Sequence, residues 1–264
     1  MMILTDDDFE LFTRFKIRAM GDKLREIIDD ESYDRVGFEE KIKLMLDAET
    51  EARGARKVAR LIRQARFKYK DACVEDIEHP PERKLSRDRI ERLASCQWVR
   101  DRETLIIISS TGSGKSYISQ ALGNAACRRG IPTRYARMQD MLEEIDRARL
   151  DGQAAYYRKV DEFKSIDLPV LDDFLTTPVN AADSILIFEI MEARSSAGAT
   201  LIASQCEPEQ WYVRSGSELI ADSTLSRLTG SARYLELEGP DMRRRNTTLS
   251  EEKGWKEVTA GTNE

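Results

Sequence analysis

Residues 109–116 read Ser109-Ser110-Thr111-Gly112-Ser113-Gly114-Lys115-Ser116, and they directly follow the apolar run Leu105–Ile108. Glycines in such a turn let the backbone wrap closely around an anion, with N–H groups pointing at it from the start of a helix. Lys115 is placed to reach the β- and γ-phosphates of a nucleotide, and the Ser116 hydroxyl is placed to ligate Mg²⁺. The stretch from Ser110 to Ser116 therefore predicts a loop that binds ATP and Mg²⁺. A Gly/Ser turn beside an unrelated lysine is the alternative interpretation.

This loop departs from the common phosphate-loop pattern at its first position, where Ser109 stands in place of the usual glycine. If that position requires a positive φ, a serine there adds strain of about 1 kcal/mol. Gly112, Gly114, Lys115 and Ser116 keep the groups that contact phosphate. We therefore expect the substitution to weaken nucleotide binding rather than to abolish it.

A second acidic element, Asp172-Asp173, closes the apolar run Leu168–Leu171. Carboxylates at the carboxyl end of a parallel strand lie where open α/β sheets bind their ligands. Asp172 is a candidate to hold Mg²⁺ through water, and Asp173 is a candidate to orient or deprotonate the attacking water. Two aspartates that merely end a strand are the alternative, but their pairing with the phosphate loop favours the functional interpretation.

From about Thr104 onward, short apolar runs alternate with longer amphipathic segments. The runs are Leu105–Ile108, Thr133–Ala136, Leu168–Leu171, Thr200–Ala203 and Tyr234–Leu237. Segments with helical spacing lie between them, for example Lys115–Arg129, Met138–Leu150 and Ala181–Arg194. Such alternation predicts an α/β fold with a parallel, doubly wound sheet covered on both faces.

The N-terminal part of the chain has a different pattern. From about residue 7 to residue 70, apolar residues recur at a spacing of three and four, which predicts helices. Pro80-Pro81, in a stretch of mixed charge, indicates a linker. We therefore divide the chain into a helical domain (1–70), a linker and lead-in helix (71–103), a sheet domain (104–246) and a polar tail (247–264).

Composition narrows the class of protein. An apolar content of 41% is enough for a real core. The four cysteines are scattered, which argues against a disulfide or zinc framework and favours a reducing compartment. The longest apolar runs are only as long as strands, and the acidic start Asp6-Asp7-Asp8 is unlike a signal peptide. We expect a soluble, cytoplasmic protein.

Positive charge is concentrated in one segment, although the net charge of the chain is −6. Between Arg53 and Lys70 there are eight basic residues and no acidic one. On a helix, five of them fall within an arc of roughly 120°; they are Arg53, Arg56, Lys57, Arg60 and Arg63. A cationic stripe of this kind suits the phosphates of duplex DNA, without base reading. A solvated face paired with acidic neighbours such as Glu49 is the alternative.

The chain resembles the IstB-like ATP-binding family, the ATPase subunits of certain insertion-sequence transposons, which are related to DnaC-type helicase loaders. In the sheet domain the resemblance rests on Gly112-Ser113-Gly114-Lys115-Ser116, Gln120-Ala121-Leu122-Gly123, Leu171-Asp172-Asp173-Phe174, Ile202-Ala203-Ser204-Gln205, Glu209-Gln210-Trp211 and Leu225-Ser226-Arg227-Leu228. In the N-terminal part it rests on Ala48-Glu49-Thr50-Glu51, Ala65-Arg66-Phe67 and Glu91-Arg92-Leu93-Ala94-Ser95. It spans roughly residues 10–246. The chain departs from the family at Ser109-Ser110, where Gly-Pro is usual, and at Leu175, where glycine is common.

The resemblance implies an AAA+ P-loop ATPase core behind a helical N-terminal domain that serves DNA binding and oligomerisation. It also implies ATP-dependent assembly of a homo-oligomer on duplex DNA, and selection and bending of the target DNA that is presented to a partner transposase. By the resemblance, Gln205 is the polar group that positions the hydrolytic water, and Arg227 is an arginine finger that reaches a neighbouring subunit's γ-phosphate. Arg243, or the adjacent Arg244 or Arg245, is a further nucleotide contact.

Two other functions stay open from the sequence. A helicase loader would grip a replicative helicase with its N-terminal helices and use ATP as a switch. A small-molecule P-loop kinase would need an acceptor pocket and would have no use for a cationic stripe outside the sheet domain.

Overall fold

The computed structural model of the chain describes residues 4–195, 197–216, 225, 228–230, 232–238 and 242. The chain divides into two compact units, residues 1–60 and residues 61–264. The division falls within the longest helix of the described residues, so each unit contains part of it. The two units are described separately below.

The first unit is helical, as the spacing of its apolar residues predicts. It contains α1 (Asp6–Arg14), α2 (Arg18–Asp29) and the greater part of α3 (Phe38–Ala65). Thr5 caps α1 through a reciprocal pair of hydrogen bonds with Asp8, which satisfies backbone N–H groups that the first turn leaves free. Gly21 of α2 allows close packing, because a Cβ there would lie only 2.6 Å from Phe12 Cγ.

The second unit alternates strands and helices. In chain order it contains α4 (Arg87–Ala94), α5 (Gln97–Arg100), β1 (Thr104–Ser109), α6 (Lys115–Arg128), β2 (Thr133–Arg137), α7 (Met138–Leu150), α8 (Gln153–Ser165), β3 (Leu168–Asp172), α9 (Ala181–Ser195), β4 (Thr200–Ser204), α10 (Pro208–Arg214) and β5 (Arg233–Leu237). The strands form one sheet in the order β2-β3-β4-β1-β5, and all the neighbouring pairs are parallel. The predicted α/β class and parallel, doubly wound sheet are confirmed.

Both faces of this sheet are buried, because alternate residues of each strand point to opposite sides. Leu105 and Ile107 of β1 belong to one apolar cluster, and Ile106 and Ile108 belong to the other. Helices cover each face, which is why the strands read as continuous apolar runs rather than as alternating ones. The parallel arrangement also brings the carboxyl ends of β1, β3 and β4 to the same edge.

Residues 71–103, which the sequence indicated as a linker with a lead-in helix, form α4, α5 and the short 3₁₀ turns Val74–Asp76 and Pro81–Arg83. Their apolar side chains join the core of the second unit, among them Ala72, Ile77 and Trp98. The segment therefore packs against one face of the sheet and borders the loop after β1.

Pro169 lies within β3, although proline donates no ladder hydrogen bond. It stands in register with Arg134 of β2, whereas the pairing of β3 with β4 begins one residue later, at Val170. The proline therefore precedes the first pair on the β4 side, where a missing N–H removes no ladder bond.

Among the described residues, every helix is too short or too polar to span a lipid bilayer.

Candidate functional site

The loop between β1 and α6 has the geometry of a phosphate loop. Gly112 and Gly114 adopt φ values of +87° and +89°, a region that residues with a Cβ rarely occupy. Gly114 directly precedes α6, so Lys115 is the first residue of the helix. The first N–H groups of a helix have no acceptor within it, and its dipole favours an anion there. The glycines and the helix start together form a cradle for a negatively charged group.

Ser109 occupies the position at which the phosphate-loop pattern usually has glycine. It is the last residue of β1, in register with Leu237 of β5, and its φ is not positive. The strain of a left-handed serine is therefore absent. Its hydroxyl instead accepts a hydrogen bond from Ser113 Oγ at 2.5 Å, which ties the middle of the loop to the end of the strand.

Lys115 and Asp173 come together at the carboxyl edge of the sheet. Lys115 is buried, and its Nζ lies 3.9 Å from Asp173 Oδ1. The other carboxylate oxygen of Asp173 accepts a hydrogen bond from Arg137 Nε at 3.0 Å. Asp173 therefore interacts with two cations, one from the loop and one from the end of β2. Its backbone is left-handed, with a φ of +52°, which turns the chain sharply after β3.

Asp172 is buried beside Tyr135 of β2. The Tyr135 hydroxyl donates to Asp172 Oδ2 at 3.0 Å, and Oδ1 accepts a hydrogen bond from the backbone N–H of Asp173 at 2.9 Å. Burial raises the pKa of Tyr135 far above its ordinary value, and the negative charge of Asp172 adds to the rise. The hydroxyl therefore keeps its proton and holds the carboxylate in one orientation.

Gln205, the first residue after β4, joins the loop to Asp173. Its Oε1 accepts a hydrogen bond from Thr111 Oγ1 at 2.5 Å, and its Nε2 donates to Asp173 Oδ1 at 3.4 Å. An amide held in this way has both a donor and an acceptor close to the candidate base. The structure thus brings Asp173 and Gln205, which are distant in the sequence, next to Thr111 and Lys115 of the loop.

A cavity of about 390 Å³ opens beside the loop. Gly112, Gly114, Lys115 and Ser116 line one side of it. The cavity is also lined by residues that the sequence analysis did not single out: Tyr69, Asp76, Ile77, Glu78, Arg83, Tyr117 and Met242. The size is within the range typical of small-molecule sites. The two tyrosine rings and Ile77 provide flat apolar surface, which suits a nucleobase.

Two of the predicted site residues, Arg227 and Arg243, lie outside the described residues, as do Arg244 and Arg245. Leu225 and Leu228, which flank the first of these arginines, are buried in the apolar core of the second unit.

The five residues of the predicted cationic stripe are all exposed. Arg53, Arg56, Lys57 and Arg60 belong to the first unit, and Arg63 belongs to the second. Glu49 accepts hydrogen bonds from Arg53 at 2.8 Å and from Arg56 at 2.9 Å, and these contacts lower its pKa. In the described part of the chain, Lys57 and Arg60 form no ion pair. Pairing with acidic neighbours, the alternative interpretation, thus applies to Arg53 and Arg56 but not to Lys57 and Arg60.

The residues at the loop fit a nucleoside triphosphate with Mg²⁺. The left-handed glycines form the cradle, and Lys115 supplies a buried cation. Within the described ranges, no group of three or more His, Cys, Asp or Glu side chains could hold a metal by itself. Mg²⁺ commonly binds through one or two carboxylates together with substrate phosphates and water, so Ser116 and Asp172 suit it.

Comparison with known proteins identifies relatives over nearly the whole chain. A family model described as "IstB-like ATP binding protein" matches residues 11–250. An insertion-sequence ATP-binding protein of Sinorhizobium fredii is 29% identical over 92% of this chain and 96% of its own length. The ATP-binding protein of insertion sequence IS1162 from Pseudomonas fluorescens is 32% identical over 64% of this chain and 73% of its own length.

Solved structures share the fold at low sequence identity. The DnaC helicase loader superposes with a TM-score of 0.56 at 16% identity, over 65% of this chain and 99% of that one. AMPPCP-bound DnaA from Aquifex aeolicus superposes with a TM-score of 0.54 at 22% identity, over 68% of this chain and 55% of that one. These likenesses assign the sheet domain to the AAA+ P-loop fold.

Proposed function

The chain belongs to the IstB-like ATP-binding protein family, and on that premise we propose that it is an ATP-dependent, DNA-binding AAA+ ATPase that assists a transposase. ATP, bound at the loop with Mg²⁺, holds copies of the chain together on duplex DNA. Hydrolysis to ADP and phosphate then releases or remodels the assembly. The names of the relatives, which are ATP-binding proteins of insertion sequences, support the transposition role.

The observation that carries the proposal is the meeting of Lys115, Asp173 and Gln205 beside the phosphate loop. Lys115 begins α6, Asp173 follows β3 and Gln205 follows β4, and each suits a different part of phosphoryl transfer. Lys115 neutralises phosphate charge, Asp173 accepts a proton from the attacking water, and Gln205 orients that water. A loop that bound phosphate for structural reasons alone would need neither the carboxylate nor the amide.

Mg²⁺, when bound, neutralises charge on the β- and γ-phosphates. Ser116 and Asp172 are the residues that we assign to it, Asp172 through water. Tyr135 fixes the orientation of Asp172, and Arg137 and Lys115 both interact with Asp173. Tyr69 and Tyr117, whose ring centroids lie 6.0 Å apart in the cavity, are our candidates for contact with the base of the nucleotide.

The assembly step depends on arginines that we assign from the family resemblance. Arg227 would act as a finger on the γ-phosphate held by a neighbouring copy, which makes hydrolysis depend on assembly. Arg243 or one of its two neighbours would contact the nucleotide of its own subunit.

The DNA-binding role is assigned to Arg53, Arg56, Lys57, Arg60 and Arg63. All five are exposed, and contacts to phosphate alone give an affinity that is independent of sequence and steeply salt-dependent. Repetition of the stripe in an oligomer would add weak contacts into strong binding.

Mixed-subunit ATPase measurements test the proposal. Lys115→Ala and Arg227→Ala proteins should each be inactive alone, and mixing them should restore part of the activity, because some interfaces pair an intact loop with an intact arginine. Gel shifts with duplex DNA should require ATP or a non-hydrolysable analogue. A protein that stays monomeric and binds DNA without regard to nucleotide would refute the proposal.

A helicase loader is the second candidate function, because the DnaC loader is covered over 99% of its length by the shared fold. Affinity capture with the purified protein separates the two, since a loader would retain a replicative helicase and a transposition ATPase would retain the transposase. Phosphorylation of a small acceptor molecule would instead point to a kinase.

A further inference from the structure

Arg83 is a buried arginine on the wall of the nucleotide cavity, in the 3₁₀ turn Pro81–Arg83. Its guanidinium donates to the backbone oxygen of Ser113 at 2.6 Å and to that of Glu78 at 2.9 Å. One bond therefore holds the phosphate loop, and the other holds Glu78, which also lines the cavity. The segment that carries Arg83 precedes the sheet and contributes nothing to the phosphate-loop motif itself.

Among the described residues, the charge of Arg83 is only partly compensated by a carboxylate. In the described part of the chain it forms no ion pair, and its Nε has no hydrogen-bond partner. Its neighbour Lys84, by contrast, is exposed and lies 2.7 Å from Glu238 Oε2. Burial lowers the pKa of Arg83, and the charge of Glu78 opposes the change only in part. Because an unpaired buried cation is costly, a group of this kind calls for an anion.

The guanidinium also lies against the loop backbone. A Cβ on Gly114 would come within 2.7 Å of Arg83 Nη2. In a trans peptide the C=O and the following N–H point in opposite directions. By holding the oxygen of Ser113, Arg83 therefore turns the N–H of Gly114 away from itself, and a charged donor on the oxygen makes that N–H a stronger donor.

We propose that Arg83 is a positioning residue for the nucleotide: it fixes the Ser113–Gly114 peptide for phosphate binding, and the incoming polyphosphate balances its charge. The inference rests on the proposed function, because it takes the ligand of the loop to be ATP. A purely structural arginine, which would only join the turn to the sheet, is the competing interpretation. The two differ in whether nucleotide affinity depends on the charge of this side chain.

Three substitutions separate the effect of the Arg83 hydrogen bond on nucleotide binding from the effect of its charge. Arg83→Lys keeps the charge and one donor, Arg83→Gln keeps a donor without the charge, and Arg83→Met removes both. With a fluorescent ATP analogue, Arg83→Met should raise the Kd about 10-fold or more, because it removes both the charge and a charge-assisted hydrogen bond to the loop. Arg83→Lys should stay closer to the wild-type protein than Arg83→Gln does. Lys84→Met, which removes the neighbouring exposed cation, should leave the Kd unchanged within about 2-fold.

Thermal melting, followed by circular dichroism with and without ATP, provides the second readout. At the same ATP concentration, Arg83→Met should be stabilised less by ATP than the wild-type protein is, because the shift follows the affinity. A folded Arg83→Met protein with wild-type Kd and wild-type shift would overturn the inference. If Arg83→Met does not fold, equal affinities for the wild-type, Arg83→Lys and Arg83→Gln proteins would overturn it. Failure of the wild-type protein to bind ATP would refute the proposed function as well.

Discussion

Lys115 Nζ lies 3.9 Å from Asp173 Oδ1, although β4 separates the two strands that precede these residues. The pair forms because parallel strands end at one edge of the sheet and because Asp173 turns back sharply with a positive φ. Under the proposed function, Lys115 contacts phosphate and Asp173 faces the attacking water, so bound ATP places its γ-phosphate close to this pair. Single substitutions of residues at this edge of the sheet can therefore test the proposed function.

Gly114→Ala should impair the phosphate loop, whereas the same substitution at a left-handed glycine elsewhere should not. Gly114 and Gly152 both have positive φ, so an added Cβ strains the backbone at either position. Only at Gly114 does the new Cβ also collide with Arg83, whereas the space around Gly152 is open. We expect Gly114→Ala to weaken ATP binding at least about 10-fold and Gly152→Ala to leave it unchanged, in titrations with a fluorescent analogue. Equal affinities in the two variants would contradict the assigned role of the loop.

Tyr135→Phe should change how stability depends on pH in alkaline solution. The pKa of Tyr135 is raised in the native state by burial and by Asp172, while in the unfolded chain a tyrosine ionises near its ordinary value of about 10. Above about pH 10 the unfolded state loses a proton that the native state keeps, so the unfolding free energy falls by about 1.4 kcal/mol per pH unit.

Urea unfolding between pH 9 and pH 11 measures this fall. The wild-type protein should lose stability more steeply than Tyr135→Phe, because the variant lacks the titrating group. Tyr117 and Tyr234 also have raised pKa values, but they are present in both proteins and cancel in the difference. Identical slopes would mean that Tyr135 does not hold its proton against Asp172.

Leu175 combines burial with a strained backbone. It is fully buried and has a φ of +43°. Leu175→Ala and Leu175→Gly both remove the apolar side chain, but only glycine relieves the left-handed strain of about 1–2 kcal/mol. After the backbone entropy of glycine, about 0.5–1 kcal/mol, is subtracted, Leu175→Gly should be the more stable variant by roughly 0.5–1 kcal/mol. Urea unfolding of the two variants measures this difference in stability. A less stable Leu175→Gly protein would show that the backbone at position 175 is not strained.

DNA binding should depend more on Lys57 and Arg60 than on Arg53, because Glu49 already neutralises part of the charge of Arg53. Each phosphate contact that is lost should reduce the slope of log K against log salt concentration by about 0.9. Lys57→Ala and Arg60→Ala should show this reduction in ATP-containing fluorescence-anisotropy titrations with duplex DNA. Lys43→Ala, on the same helix and paired with Asp47, is the matched control and should leave the slope unchanged. Unaltered slopes in all the variants would mean that the DNA binds to other residues of the chain.

The sequence predicts the sheet and the loop well, because both depend on local patterns. Continuous apolar runs give strands that are buried on both faces, and the structure places all five within a residue of their predicted ends. The left-handed glycines at 112 and 114 are needed wherever this loop occurs, so their spacing is informative on its own. The Ser109 strain expected for a positive φ is not present, because the position continues a strand.

The cavity wall is harder to predict, because its residues become neighbours only after folding. Tyr69, Ile77 and Arg83 lie in or near a segment whose prolines and mixed charge indicated a linker. Burial against the sheet, rather than any spacing within the segment, determines their role. Arg137 was missed for a related reason: it approaches Asp173 because β2 pairs in parallel with β3, which sets Arg137 opposite Asp172.

Equilibrium binding of ATP with Mg²⁺ to the wild-type protein and to Lys115→Ala tests the central claim most directly, with Lys43→Ala as a control for the loss of a lysine. We expect the wild-type and Lys43→Ala proteins to bind ATP with the same affinity. Lys115→Ala should bind about 10- to 100-fold more weakly, because it loses a charge-assisted contact to phosphate. Absence of ATP binding by the wild-type protein, or equal binding by a folded Lys115→Ala protein, would contradict the account.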